Sequence, residues 1–521
     1  MTLNLATLPD DPVQLKQLLV ERQAHFNTQT DILLEEIRHL RAQLFGRKSD
    51  KPLAGDGPQP LPLFDMPEPA VEPEEVEEIQ VPAHSRTKKG RKPLPEHLPR
   101  IERIHDIDPA DKICGCGCEL SRIGEEVSEQ LDIIPAKIQV IRHIRPKYAC
   151  RNCQGVEDSG PTVKIAPVPP QLIPKSIATP GLIAHILTTK FVDHNPFYRQ
   201  EKQFQRLGVT ISRTSMCGWA MQTALACRPL LNLLQDTARD GTYHNIDETT
   251  VQVLVEPGRA PTSKSYMWLF RRGDPDKIVL IFQYHPTRSG DVAREFLHGV
   301  AGYVQTDGYS GYDFLDRETS IRHIGCWAHA RRKFMDVIKA QGKNRKIGSA
   351  DVALKYIKEL YRLEDAAQKR SATYAEIYQM RQEQAKPHLV EFRKWLEKKS
   401  LQTPPKGLLG KAIGYALSQW DRLIGYLEAG HLRPDNNMAE NAIRPFVLGR
   451  RNWLFSGTQE GAEASALLYS LIETAKANNR EPYTYLRYIF EKLPLASSLE
   501  DYEALLPWNI PVEVLAVSAL G

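Results

Sequence analysis

Two sets of side chains in this sequence are spaced for chemistry: cysteines in its first third and carboxylates further on. Cys114-Gly-Cys116-Gly-Cys118 and Cys150-Arg-Asn-Cys153 bracket a stretch, Val127 to Tyr148, that reads as strand-rich. Two short cysteine knuckles can offer four thiolates to one Zn²⁺, which then replaces a core that so small a segment cannot build. The ligand set read from the spacing is Cys114, Cys116, Cys150 and Cys153, with Cys118 as the alternative in the first knuckle. The zinc would be structural. Buried or free thiols are the competing reading.

The carboxylates are Asp247, Asp307 and Glu440. After Tyr243 the apolar period changes from helical to strand-like, and His244 to Glu256 alternates through Thr249, Val251, Val253 and Val255. Ser265 to Arg271 and Lys277 to Tyr284 read as two more strands, Ser289 to Leu297 as a helix, and Gly302 to Thr306 as a fourth strand. Three strands, a helix, a fourth strand and further helices is the element order of a ribonuclease-H-like core. In that topology the first and fourth strands are neighbours, so Asp247 and Asp307 meet. A third carboxylate belongs on a later helix, and the segment from Arg433 to Glu440 starts one after a proline. Asn437, Glu440 and Arg444 then share a face, with Arg444 placed to hold the Glu440 carboxylate or a phosphate. Glu460 and Glu463 are rivals, read as lying in a glycine-containing loop without such support.

Around these residues the chain changes character several times. Residues 13–50 carry Leu19, Phe26, Leu33 and Leu40 seven apart, with Gln23, Thr30, Ile37 and Leu44 four after each. That is a leucine-zipper-like coiled-coil seam, which favours self-association over packing within one chain. Residues 51–83 form a proline-rich acidic linker, and 84–110 a basic segment whose Lys88, Lys89, Arg91 and Lys92 are candidate phosphate contacts. The zinc module spans 111–155. Residues 175–235 read as helical: a helix from Phe197 to Leu207, a turn at Gly208, and a second helix capped by Ser212. This is helix-turn-helix-like and would present Arg213 and Thr214 to DNA. The core's first part is 240–335, a helical insertion fills 336–430, the third acid lies in 431–480, and 481–521 is a C-terminal segment. The fold class is therefore multi-domain, mixed α+β and α/β.

Five runs carry a family resemblance: IDETTVQVL, VQTDGYSGY, CWAHARRKF, PDNNMAENAIRPFVLGRRNWLFSG and SLIETAKANNREPYTYL. Together with LFGRKSDK after the zipper and the cysteine segment, they resemble the transposase of the insertion-sequence-66 family over nearly the whole chain. The resemblance implies a DNA transposase of the aspartate-aspartate-glutamate class, with its acids at Asp247, Asp307 and Glu440. It also implies two small accessory transposition proteins as partners. Cys326-x-x-His329 resembles a signature of some related transposases, and Arg331 and Arg332 beside it are candidate DNA contacts. The pair itself is read as a satisfied core cysteine and histidine rather than a metal site. One departure is the first knuckle, where the family shows C-x-x-C-G and this chain has Cys114-Gly-Cys116-Gly-Cys118.

Three converging acids repel unless cations join them. Hard oxygen donors suit two Mg²⁺ or Mn²⁺ per active site, with zinc confined to the cysteines. By analogy with such cores Asp247 would bridge both ions, Asp307 would bind one and Glu440 the other. The expected reaction is strand cleavage by water followed by attack of a DNA 3′-hydroxyl. Its DNA partners would be the element's terminal inverted repeats and the target. A DNA-binding regulator with a decayed core, and a nuclease that cuts without joining, are the alternatives. At 521 residues, with 41% hydrophobic and 25% charged residues, the composition is that of a soluble multi-domain protein. No apolar run suggests a membrane span and no signal peptide is read, so the expected location is cytoplasmic, on the nucleoid when DNA-bound.

Overall fold

The computed structural model describes residues 138–149, 163–341 and 347–518, with scattered positions between 11 and 30. Two units are distinguished, Met1–Asp56 with Arg145–Gly521, and Gly57–Ile144. Of the second unit only 138–144 are described, as exposed chain without regular structure. The proposed zinc ligands Cys114, Cys116, Cys118, Cys150 and Cys153 lie outside the described residues, as do Lys88, Lys89, Arg91, Lys92, the linker and most of the zipper. Described positions between 12 and 30 are helical. Within the stretch read as strand-rich, the described residues 138–146 are irregular, and strand begins only at β1 (Lys147–Ala149), which pairs antiparallel with β2 (Val163–Ile165).

Between β2 and the main sheet lie the helices α1 (Pro180–Phe191), α2 (Phe197–Arg206), α3 (Arg213–Ala226) and α4 (Arg228–Arg239). Between α2 and α3, Gly208 takes a φ of +83°, a left-handed turn that side-chain-bearing residues resist. The Ser212 hydroxyl then accepts the Ser215 N–H at 3.1 Å and caps α3. Ile186, Phe204, Ile211 and Met216 are buried together and hold this hairpin on α1.

The sheet is built from β3 (Tyr243–Val255), β4 (Lys264–Arg272), β5 (Val279–His285), β6 (Gly302–Gln305) and β7 (Ile321–Ile324), in the order β5-β4-β3-β6-β7. The β3–β4 and β4–β5 pairs are antiparallel, whereas β3–β6 and β6–β7 are parallel. A short helix, α5 (Gly290–Phe296), makes the crossover to β6. Gly302 opens β6 at φ +115°, where a Cβ would lie 2.3 Å from the Thr242 carbonyl oxygen. Close backbone approach therefore requires glycine there. β7 is a fifth strand absent from the sequence reading.

After β7 come α6 (Trp327–Gln341), α7 (Ser349–Lys369), α8 (Tyr374–Met380), a π-helical turn (Arg381–Ala385), α9 (Lys386–Ser400), α10 (Leu408–Ser418) and α11 (Trp420–Ile424). α6 already starts at Trp327, so the expected boundary at 336 falls inside a helix. Trp327, Phe334, Ile357, Leu360, Phe392, Leu396 and Leu423 form one buried cluster that continues into the sheet through Ile324 and Tyr243. The chain then forms α12 (Asn437–Trp453), β8 (Ser456–Thr458), α13 (Gln459–Ala477), α14 (Pro482–Lys492), α15 (Leu499–Glu503) and α16 (Val512–Ser518). Glu460 and Glu463, expected in a loop, lie in the first turns of α13, which Thr458 caps. Edge strand β5 is closed by that helix: the Thr474 and Ser470 hydroxyls accept the N–H groups of Leu280 and Phe282 at 3.0 and 2.8 Å.

The chain leading into α12 is fixed by a buried arginine. Arg381 donates to both Glu364 oxygens at 2.8 and 2.7 Å, and to the carbonyls of Tyr426, Ala429 and Leu432 at 2.7–2.9 Å. Arg381→Met should therefore strand the Glu364 carboxylate and three carbonyls, costing about 3–5 kcal/mol in a denaturant titration. A loss under about 1 kcal/mol would show that water takes over these bonds.

Candidate active site

Strand β3 runs past its neighbours on one side. Parallel β6 pairs with it at Tyr243–Asn245, and parallel β8 meets it again only at Val253 and Val255. The backbone between them still needs hydrogen-bond partners. Two carbonyls there find donors in the residue that precedes α12 and in α12 itself. Asn436 Nδ2 donates to the Ile246 carbonyl at 2.8 Å, and Arg450 Nη1 donates to the Thr250 carbonyl and to Thr249 Oγ1, the latter at 3.1 Å. The strand edge and the helix are thus matched at two points, and Glu440 lies between them in the first turn of α12.

A buried amide cluster sets the register. Asn245 Nδ2 lies 3.0 Å from Gln305 Oε1 on β6 and 3.2 Å from Asn436 Oδ1. Gln305 Nε2 donates to the carbonyls of Gly325 and Arg433 at 3.0 and 2.9 Å, and Arg271 Nη1 donates to Asn245 Oδ1 at 2.8 Å. Asn245 and Gln305 face each other in the β3–β6 register. Two residues further along each chain stand Asp247 and Asp307. Asp435 helps free Asn436 for this work, since Asp435 Oδ1 takes the Asn437 N–H at 3.1 Å at the start of α12.

The structure brings the three predicted acids together. Burial pushes the Asp247 carboxyl well above the usual carboxylate range, and the charges of Glu248, Glu440 and Asp307 push it the same way. Asp247 Oδ1 accepts the Glu248 N–H and Asp307 Oδ1 the Tyr309 N–H, each at 2.9 Å, which aims both carboxylates. Glu440 Oε1 is buried without a hydrogen-bond partner. Arg332 Nη2 lies 3.6 Å from Glu440 Oε2, and His329 Nδ1 lies 3.7 Å from Oε1. Arg332, expected on DNA, therefore faces the third acid, and Arg444 lies one turn further along α12. Three carboxylates supply hard oxygen donors, one of them with an unpartnered buried atom, and such a donor set fits Mg²⁺ or Mn²⁺.

The sequence reading missed a fourth acid. Glu248 is buried beside Asp247, paired with Arg288 through a 2.6 Å bond and with the Tyr312 hydroxyl. Burial raises this carboxyl too, and the Arg288 guanidinium opposes that rise. Arg288 also lies 3.9 Å from the Tyr309 ring centroid. Tyr309 and Tyr312 thus tie the Asp307 loop to β3. The only sequence signal was the Glu beside Asp247, and nothing in its spacing distinguished it from a surface residue.

Cys326 and His329 divide. Cys326 is fully buried, its thiol pushed up by burial, and its sulfur accepts the backbone N–H groups of His329 and of Asn436, the latter at 3.2 Å. The expectation of a satisfied pair describes this cysteine. His329 Nδ1 is buried without a hydrogen-bond partner, and burial lowers the ring's pKa. Arg213 and Thr214 are exposed on the first turn of α3, while Arg331 is half-buried on α6.

Residues 175–464 match the profile described as the transposase of the IS66 family. The chain belongs to the IS66 transposase family. Residues 111–154 match the zinc-finger binding domain of IS66 transposases, 470–508 the IS66 C-terminal element, and 32–103 a segment described as the IS166 transposase C homeodomain. The IS66 transposase chain is thus a transposase-type enzyme, and the zinc-finger match supports a structural zinc in the cysteine segment. Three proteins of Sinorhizobium fredii resemble it. Uncharacterized protein y4jD is 31% identical over 98% of each chain. Uncharacterized protein y4qI is 32% identical over 82% of this chain and 79% of its own, and y4hP 28% identical over 91% and 88%. Among the described residues of the IS66 transposase chain, no helix is long and apolar enough to cross a membrane.

A carboxyl whose folded pKa is raised holds a proton that the unfolded chain has lost, so the fold is penalised as pH rises above about 4. Asp247→Asn should consequently stabilise the protein without added divalent cation, by about 0.5–2 kcal/mol near neutral pH. The gain should shrink as pH falls toward about 4. A destabilised variant at neutral pH would mean that Asp247 is held by favourable contacts instead.

Proposed function

We propose that this chain is a DNA transposase that binds the terminal inverted repeats of its element and carries out strand cleavage and strand transfer at Asp247, Asp307 and Glu440. The observation that carries this reading is the convergence of those carboxylates from β3, the end of β6 and the start of α12. The sheet order, with β6 beside β3, supports a ribonuclease-H-like core.

In this reading the three acids would hold two Mg²⁺ or Mn²⁺, which when bound supply Lewis-acid activation of the attacking oxygen and stabilisation of the leaving one. Asp247 and Asp307 present oxygens already oriented by backbone N–H groups, so little reorganisation is needed on loading. The Asn245–Gln305–Asn436 cluster keeps the strand and helix in register while charge accumulates. Glu248 takes up Arg288 and Tyr312, which keeps their donors off the reacting carboxylates. Arg332 stands beside Glu440, where it can also meet a DNA phosphate. Exposed Arg213 and Thr214 on α3, with the basic run Lys88, Lys89, Arg91 and Lys92, are the proposed DNA grips. Self-association through the zipper would bring two element ends together, and two small accessory proteins are the further partners that the family resemblance implies.

The direct test is a strand-transfer assay with Mg²⁺ and labelled DNA carrying the element's own ends. Wild type should join ends to target, while Glu440→Gln should bind them and yield neither cleaved nor joined product. Cleavage without joining by wild type would favour a nuclease. Binding with no chemistry from either protein would favour a regulator. For the cysteine segment, metal analysis should return about one zinc per chain, lost when Cys150 and Cys153 are changed to Ser. A zinc content unaffected by those changes would place the metal elsewhere.

A further inference from the structure

We propose that His329 is a ligand of the divalent ion held by Glu440, adding an imidazole nitrogen to the three carboxylates. This deepens the catalytic reading above and rests on it.

The ligand atoms of Cys326, His329 and Glu440 all lie within 4.8 Å of one another. Two of these atoms are unusual. His329 Nδ1 and Glu440 Oε1 are both buried, both lack a hydrogen-bond partner, and stand 3.7 Å apart. That separation is too long for a hydrogen bond. It suits a shared cation, because two donors each about 2.1 Å from one ion lie no more than about 4.2 Å apart. Two buried polar atoms left unsatisfied side by side are unfavourable, and one ion would satisfy both.

The third member is excluded by its own bonds. The Cys326 sulfur is taken by the backbone N–H of His329 and the N–H of Asn436. It therefore ties the first turn of α6 to the first turn of α12. The two-residue gap in Cys326-x-x-His329 acquires a physical meaning from this. The cysteine caps α6, and the histidine one turn later is aimed at Glu440. Arg332, one turn beyond, meets the opposite oxygen, Oε2, at 3.6 Å and leaves Oε1 facing the ring.

An imidazole in the set has a chemical consequence. Mg²⁺ takes oxygen ligands, whereas Mn²⁺ accepts nitrogen readily. The ion beside Glu440 should then discriminate in favour of Mn²⁺, which a set of carboxylates alone would do less.

The test uses the full-length, zinc-loaded protein with Mn²⁺ as probe and electron spin-echo modulation as readout, without DNA. Wild type should show modulation from a directly bound imidazole nitrogen. His329→Gln should lose it and bind Mn²⁺ at least about 10-fold more weakly, with a smaller change for Mg²⁺. Cys326→Ser should keep the modulation, and matching circular dichroism of all three proteins shows that each is folded. Mn²⁺ bound without nitrogen modulation in wild type, or modulation that survives in His329→Gln, would overturn the assignment of His329 alone. Failure of wild type to bind Mn²⁺ at all would overturn this assignment together with the metal-dependent reading it rests on.

Discussion

An open stretch of strand edge governs this site. β3 is paired with β6 at one end and β8 at the other, and between them the Ile246 and Thr250 carbonyls accept from Asn436, which precedes α12, and from Arg450 of α12. Hydrogen bonds to a strand edge tolerate little displacement, so the helix that carries Glu440 is placed to within a bond length of Asp247's strand. The Asn245–Gln305–Asn436 cluster does the same for β6, two residues beyond which stands Asp307. Neutral amides suit this joint because they hold geometry without adding charge to a pocket that already gathers acids.

The carboxylates themselves work against the fold. Asp247 is half-buried and repelled by three neighbouring acids, both of which disfavour its charged form. Two features keep it from becoming worse. Glu248, the fourth acid, is neutralised by Arg288 and Tyr312, and Arg332 lies beside Glu440. In the proposed reading, bound cations would relieve this repulsion.

The helices between β7 and α12 contribute to the same geometry from a distance. Arg381 gathers the carbonyls of Tyr426, Ala429 and Leu432 just ahead of the Arg433–Asn436 turn. Gln305 takes the Arg433 carbonyl from the other side. The turn that launches α12 is therefore gripped both by the helical segment and by the sheet, which gives those helices a positioning role whatever else they contact.

Much was readable from the residue order. The strand alternation from His244 to Glu256, the Ser212 cap, the proline ahead of α12 and the long family-like runs all rest on local patterns, and local patterns are what a sequence displays. Asp247, Asp307 and Glu440 could be named because Asp247 lies within a recognisable strand, Asp307 just past another and Glu440 in the first turn of a helix. What the sequence could not display were interactions across the fold. β7 went unread, Glu460 and Glu463 were taken for loop residues because a glycine obscured the start of α13, and Glu248 looked like any surface acid. Cys326 and His329 could not be separated by their spacing alone. Only the meeting of α6 with α12 makes one a cap and leaves the other facing Glu440, since burial and hydrogen-bond partners are properties of the packed chain rather than of its order.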